Sequence, residues 1–430
     1  MMIINTKPTV RIVLPLLLFM SMVLPTMAQT DRVVVDGVVY TFQPFGPGGD
    51  FAVSGIDYET LPYDGVITIK DGLFLEAFPG EFRPYPVTSI LDNAFIDDDA
   101  LKGVIFEDGI QSIGSNAFKG CSGITSLTLP TSLLRVGWGA FACGDNLRWI
   151  DARNVGEQWK DEYDGYDGLG EIGVPLFTLL YMPSWCSSGG TNVVLTDPGT
   201  QEPSCQDFYF DSEMDYNVPW GFTAEKVRTT RKLPMDKSAY TICLPYDLNI
   251  PQNAKAYAMV ETEDPMEGKV IFSQVLGTLD KGMPYLMVAD ADVSLDSDVP
   301  SEILSTEEAQ TSTATVAGVT INGTYATISN TDAAVMKAYG LKDGNIWWVV
   351  STKNPSFYIP PFRAFLTGEA LQSNSFSFAF SDDIDAIRLL TDGTAAIDND
   401  AWYTLQGVQL PSQPHTPGVY VHHGRKYVVK

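Results

Sequence analysis

Three histidines, five cysteines and 53 carboxylates are the groups of this 430-residue chain with the widest chemical range. A hydrolase of the Ser-His-Asp or Cys-His kind needs an imidazole beside its nucleophile. The histidines are His415, His422 and His423, all near the C-terminal end, so any such enzyme would have to borrow its base from there. His422 and His423 are neighbours on an expected strand and so point to opposite faces, which is poor metal geometry. A solvated hairpin tip is the simpler expectation. So many acids always offer pairs for glycoside hydrolysis, but no motif selects one pair. Asp97-Asp98-Asp99 and the acids between Asp161 and Asp167 could hold calcium through oxygen ligands. Neither matches an EF-hand loop, and a turn plus a solvated acidic loop explains both. No P-loop or dinucleotide-binding glycine pattern appears in a strand-to-helix context. The chain is therefore expected to carry no catalytic residues, no cofactor and no metal, and not to be an enzyme.

The cysteines are Cys121, Cys143, Cys186, Cys205 and Cys243. Their number is odd, so at least one is free or pairs elsewhere. Cys186 and Cys205 lie in one polar loop and are the one pair expected to form a disulfide, worth about 3 kcal/mol in a chain-entropy picture. Cys121 and Cys143 read as buried filler, and the lack of Cys-x-x-Cys argues against structural zinc. The aromatics Trp159, Tyr163 and Tyr166 sit in a polar, glycine-rich stretch. They are the candidate ligand contacts, able to stack on sugars or on a partner protein; packing under the loop onto a neighbouring coil is the competing reading. Trp347 and Trp348 alternate on an expected strand, so one is expected in the core and the other half exposed.

The elements that would position these residues begin with a repeat. Residues 87–109, 110–132 and 133–155 align without a gap, each 23 residues long. Apolar residues recur at matching offsets: Val87/Ile110/Leu133, Ile90/Ile113/Val136, Leu101/Ile124/Leu147 and Val104/Leu127/Ile150. The pair Ala-Phe is identical at Ala94-Phe95, Ala117-Phe118 and Ala140-Phe141. A fixed period of this length marks a solenoid, whose units bury their apolar faces against their neighbours. Each unit is expected to hold a short strand, a tight turn, the phenylalanine as wedge and a second short strand such as Ser126–Leu129.

The repeat sits inside a longer chain that reads as exported. Residues 2–28 read as a secretory signal peptide: Lys7 and Arg11, then the apolar run 12–24, then Thr26-Met27-Ala28 as a small-residue cleavage site. Removing it takes the net charge from −26 to −28, a field that repels nucleic acid and anionic lipid and keeps a protein soluble. No transmembrane segment is expected in the mature chain. Residues 29–86 read as an N-terminal β cap, with Asp36-Gly37 turning a hairpin in Arg32–Phe42 and Gly65–Lys70 as a strand. Residues 156–220 read as a degenerate last coil with long loops. Residues 221–391 read as an all-β sandwich, with strands at 239–244, 255–260, 269–275, 284–288, 314–321, 324–328, 346–350, 364–367 and 375–380. Residues 392–430 form a linker and a tail with a hairpin turning at Gly424.

Ile110-Gln111-Ser112-Ile113-Gly114-Ser115-Asn116-Ala117-Phe118-Lys119-Gly120-Cys121, continued by Leu127-Thr128-Leu129-Pro130, resembles almost residue for residue the unit of the BspA-like, or Treponema-type, leucine-rich repeats. The other copies depart from it: Asp97-Asp98 replaces Gly-Cys in the first, and Cys143 falls one residue early in the third. Tyr240–Pro245, Gly282–Leu286, Ile359–Ala364 and the end from Trp402 resemble a C-terminal layout of secreted proteins of the Bacteroidetes group, whose tails resemble sorting or attachment modules. The resemblance implies a mostly β protein, a short leucine-rich-repeat solenoid followed by a sandwich-like domain and a hairpin tail. It implies a cell-surface, outer-membrane-associated or extracellular protein acting in protein–protein recognition, such as an adhesin for host matrix or other cells. A carbohydrate-binding accessory protein of the envelope is the alternative, and a passive envelope component the third reading.

Overall fold

The computed structural model describes residues 10–11, 32–44, 49–59, 65–78, 81–156, 172–185, 190–197, 201–236, 238–260, 269–316, 318–342, 345–349, 356–372, 377–380, 402–404, 409–410, 412, 414, 418–422 and 425–429. The fold is mostly β, in two compact units. The first holds residues 1–211, 217–230 and 296–308; the second holds 212–216, 231–295 and 309–430. Of the expected signal peptide only Val10 and Arg11 are described, paired antiparallel with Val35 and Val34.

The repeats coil as their spacing requires. Ile90, Ile113 and Val136 are held side by side by parallel pairing of Glu81–Ile90, Ser112–Ile113 and Arg135–Val136. Leu127 and Ile150 align likewise in Ser126–Thr128 and Trp149–Asp151. Between these strands the turns themselves stack. Phe95 N–H donates to Ala117 O and Phe118 N–H to Ala140 O, each at 2.9 Å. The turn at each coil needs a left-handed residue, and the sequence supplies Asn93, Asn116 and Gly139 at one offset, with φ of 59°, 55° and 65°. Asparagine and glycine are the residues that tolerate that region best. Phe95, Phe118 and Phe141 then stack along the coils, with ring centroids 5.2 and 6.4 Å apart and planes within 14° of parallel. All three are buried, Phe118 and Phe141 completely.

Both ends of the repeats are extended. On the N-terminal side Arg32–Val35 and Val38–Gln43 form the expected hairpin, with Asp36 and Gly37 both at positive φ (49° and 80°), as a two-residue primed turn demands. Asp50–Ile56 pairs with that hairpin and, in parallel, with Glu81–Ile90, so this block extends the repeat sheet. On the C-terminal side a fourth coil follows. Phe141 N–H donates to Ile172 O at 2.8 Å, and Leu179–Pro183 pairs parallel with Trp149–Asp151, followed by Val193–Asp197. Ile172-Gly173 stands where the repeats have Ala-Phe. A side chain at Gly173, φ 81°, would lie 3.0 Å from Gly139 Cα. Gln201–Phe210, Phe222–Thr229 and Ser301–Ile303 complete the sheet. Thus Phe222–Thr229, which the sequence reading places in the following block, pairs within the first unit.

In the second unit the expected strands recur at Ala239–Cys243, Ala254–Val260, Lys269–Val275, Pro284–Ala289, Arg363–Thr367 and Ser377–Phe380. The expected strand 314–321 is instead a hairpin, Thr313–Val316 against Val319–Thr324, turning at Gly318 with φ 79°. The expected strand 324–328 is replaced by Ile328–Ser329 leading into a helix, Asn330–Met336, capped by the Ser329 hydroxyl accepting from Asp332 N–H. Tyr257, Phe272 and Leu286 share one core with Ile321, Leu366 and Phe378. Trp347 and Trp348 are both exposed, 59% and 45%; neither is the core residue that alternation suggests, and Trp348, on the strand face of Ile346, which does pack on that core, instead meets Tyr339 edge to face at 5.1 Å. In the tail, Trp402–Thr404 pairs with Gln409–Leu410 and with Gly418–His422, and the latter with Arg425–Val429.

Candidate recognition surface

On this side of unit 1 the two-stranded sheet of Val66–Ile69 and Gly103–Phe106 precedes the larger sheet that begins at Ser126–Thr128, and the outward positions of both follow from their inward ones. Val104, Leu127, Ile150 and Leu180 point into the core and are buried, so the residues on either side of each face away from it. With the repeat offset joining the two sheets, one outward row is Val66, Gly103, Ser126, Trp149 and Leu179 and the next is Thr68, Ile105, Thr128, Asp151 and Tyr181, of which Leu179, Asp151 and Tyr181 are buried. Over the early coils these positions are small or lightly apolar, with Val66 47% and Ile105 55% exposed. From the third coil onward they become aromatic and charged.

The change centres on five side chains. Asp151 is buried and accepts from Arg153 Nε at 2.8 Å and from Arg153 Nη2 at 2.9 Å. This forked pair, first through its hydrogen bonds and then through Coulombic attraction, holds the guanidinium above its ordinary pKa. Arg153 lies over the Trp220 ring, 3.5 Å from its centroid, a cation–π contact strengthened by partial burial. Trp220 meets Trp149 edge to face at 5.4 Å and Tyr181 at 5.1 Å. The Tyr181 hydroxyl donates to Trp220 O at 2.8 Å. Tyr181 is fully buried, while Trp149, Arg153 and Trp220 are half-buried. The result is a rigid polar–aromatic patch: two indole edges and a guanidinium, their orientations fixed by a buried carboxylate and a buried tyrosine. Beyond it Phe208 packs on Phe210 and Phe222, which covers the later strands.

The candidates named from sequence are not among these residues. Trp159, Tyr163 and Tyr166 lie outside the described residues, as do Cys186, His415, His423 and the acids of 161–167. Cys205 is buried in Gln201–Phe210, with Cys186, its expected partner, undescribed. His422 ends the strand Gly418–His422. Asp97 is at φ 59° in a turn, and Asp98 accepts from Leu101 N–H within that turn and from the Tyr58 hydroxyl, 40 residues away in sequence. Among the described residues no group of three or more His, Cys, Asp or Glu is placed to hold a metal. Cys121 and Cys143 are buried as expected, and burial pushes both thiols up to about 12. Sequence reasoning missed Trp149, Arg153 and Trp220. The one available signal was the outward offset Gly103/Ser126/Trp149, where the repeat abruptly gains an indole.

Coils of this length, with stacked short parallel strands and a wedge residue per turn, define a leucine-rich-repeat solenoid. Residues 83–161 match the family described as BspA type leucine rich repeat region, in 6 copies; the repeat segment is of that type. Comparison with curated proteins gives no match. Among solved structures, a leucine-rich repeat protein from Bacteroides capillosus is 19% identical over 28% of this chain and 96% of that one, with a TM-score of 0.23. One from Bacteroides ovatus is 19% identical over 35% of this chain and 37% of that one, TM-score 0.22. A leucine rich cell surface protein from Faecalibacterium prausnitzii is 16% identical over 40% of this chain and 62% of that one, TM-score 0.17. The matched part thus spans less than two thirds of the last two. Among the described residues no helix is long and apolar enough to cross a membrane.

Proposed function

We propose that this chain is an exported, surface-displayed recognition protein that binds another protein through the outward face of the parallel sheet in its first unit. It acts as an adhesin for matrix proteins or other cells, and its tail serves sorting or attachment. The observation that carries this reading is the passage from small outward residues on the early coils to the Trp149–Asp151–Arg153–Trp220 patch on the later ones. Half-buried tryptophan and arginine with fixed orientation are what binding hot spots are made of, because little side-chain entropy is lost on contact. The BspA-type repeat segment supports the same reading. The test is binding of full-length protein to a panel of immobilised matrix proteins and glycans at physiological salt. A saturable protein hit supports the adhesin.

A carbohydrate-binding role is the second reading. It is favoured by one feature of the same patch, indole surfaces beside a carboxylate–guanidinium pair, the mix of aromatic and convergent polar groups that small-ligand sites use. Hits confined to the glycans of the panel would promote it.

A further inference from the structure

A second exposed surface lies on the hairpin made by Gly72–Phe78 and the first residues of Glu81–Ile90. One face of this hairpin is spent on the core: Leu73 is buried, and Leu75 and Tyr85 pack against the core of unit 1. Side chains alternate across a strand, so Phe74, Phe82 and Pro84 share the opposite face. Phe74 is 68% and Phe82 41% exposed. Their rings stack on each other with centroids 5.8 Å apart and planes 17° from parallel. The pair is ordered by its own contact, although nothing of the core reaches it. Among the described residues, strand Gly72–Phe78 pairs with Glu81–Ile90 alone, so its other edge carries backbone donors and acceptors with no strand beside them. Such an edge is a template for an added strand.

We propose that the edge of Gly72–Phe78 and the Phe74–Phe82 pair capture an extended cationic segment of another protein by strand addition. Charge selects this occupant. Asp71 precedes the strand and Glu81 opens the returning one, while Arg83, the one cation between residues 71 and 86, is ion-paired with Glu81. The chain carries a net charge of −26. A second copy would bring that same charge to the edge and be repelled, whereas a lysine- or arginine-bearing strand is attracted. The phenylalanine pair supplies the apolar contact for alternate side chains of the incoming strand. This surface is independent of the Trp149 patch.

The test is fluorescence anisotropy of a labelled peptide of four Lys-Val repeats titrated with the full chain at physiological salt. Saturable binding is expected. It should weaken at least about tenfold in Phe74→Ala or Phe82→Ala, as for loss of an aromatic anchor, with circular dichroism unchanged. It should weaken similarly when alternate peptide amides are N-methylated and when Glu-Val replaces Lys-Val, and be unchanged in Leu276→Asp, a 78% exposed position of the second unit. Absence of saturable binding, equal binding of the N-methylated peptide, or indifference to both phenylalanine changes would overturn the proposal. So would a dimer in sedimentation that either phenylalanine change abolishes, since a second copy would then occupy the edge.

Discussion

The first three coils and the fourth are built on the same parallel stack and differ in what they spend it on. In the first three, most inward offsets repeat, and the wedge is a phenylalanine stacked on that of the neighbouring coil. In the fourth, Ile172-Gly173 replaces Ala-Phe, yet the strand pairing continues unbroken from Trp149–Asp151 to Leu179–Pro183. Once the stack is established, backbone pairing and a few inward aliphatics suffice to extend it, and the sequence is released from the repeat. The outward residues change one coil earlier, within the third, from Gly103 and Ser126 to Trp149, with Arg153 and Trp220 gathered around it. The inward frame is periodic and the candidate binding surface begins in its last periodic coil, since outward residues are free to vary where interfaces between neighbours carry the stability.

Several substitutions would break or sharpen this contrast. The largest effect is expected for Phe118→Ala: the ring is fully buried between Phe95 and Phe141, and its loss should cost about 3–5 kcal/mol. An unchanged melting temperature would sink the wedge-and-coil account. Arg153→Ala should cost about 1–3 kcal/mol in chemical denaturation, because it leaves the buried Asp151 carboxylate without its forked donor; Arg153→Lys should recover only part, lacking the fork. Asn116→Ala should cost about 1 kcal/mol, the penalty of a Cβ at positive φ without a compensating amide, whereas Asn116→Gly should be close to neutral. A larger loss in the glycine variant than in the alanine one would contradict the backbone explanation. The smallest change is in reactivity: Cys121 and Cys143, their thiols pushed up to about 12, should resist alkylation at pH 8 until the protein is unfolded. Rapid labelling of the native protein would show that the coils open.

Much of the frame was legible in the sequence because a solenoid writes its contacts locally. The offsets of Ile90, Ile113 and Val136 predict their pairing, and the Asn-or-Gly position reports its own φ. The Asp36-Gly37 turn was equally readable, since two successive left-handed residues leave few other options. The second unit was less so. Its sheet pairs Lys269–Val275 in parallel with Ser377–Phe380, more than 100 residues apart, and no local pattern announces such a partner. The helix Asn330–Met336 was missed because its apolar Val335 and Met336 stay exposed, which removes the amphipathic signal. The Trp149 patch was hidden for the same reason as the long pairings: Trp220 reaches Arg153 through an aromatic cover assembled from distant strands.

The most direct test of the central claim, that the outward sheet face is the recognition surface, is to compare full-length wild type, Trp149→Ala and Ile105→Asp on the matrix-protein panel. Ile105 is 55% exposed, so a charge there disturbs the face and leaves the core intact. The account predicts a saturable protein ligand whose affinity falls at least about tenfold in both variants, the range of a hot-spot truncation, with circular dichroism preserved. A ligand bound equally well by all three would place recognition elsewhere on the chain and contradict the account.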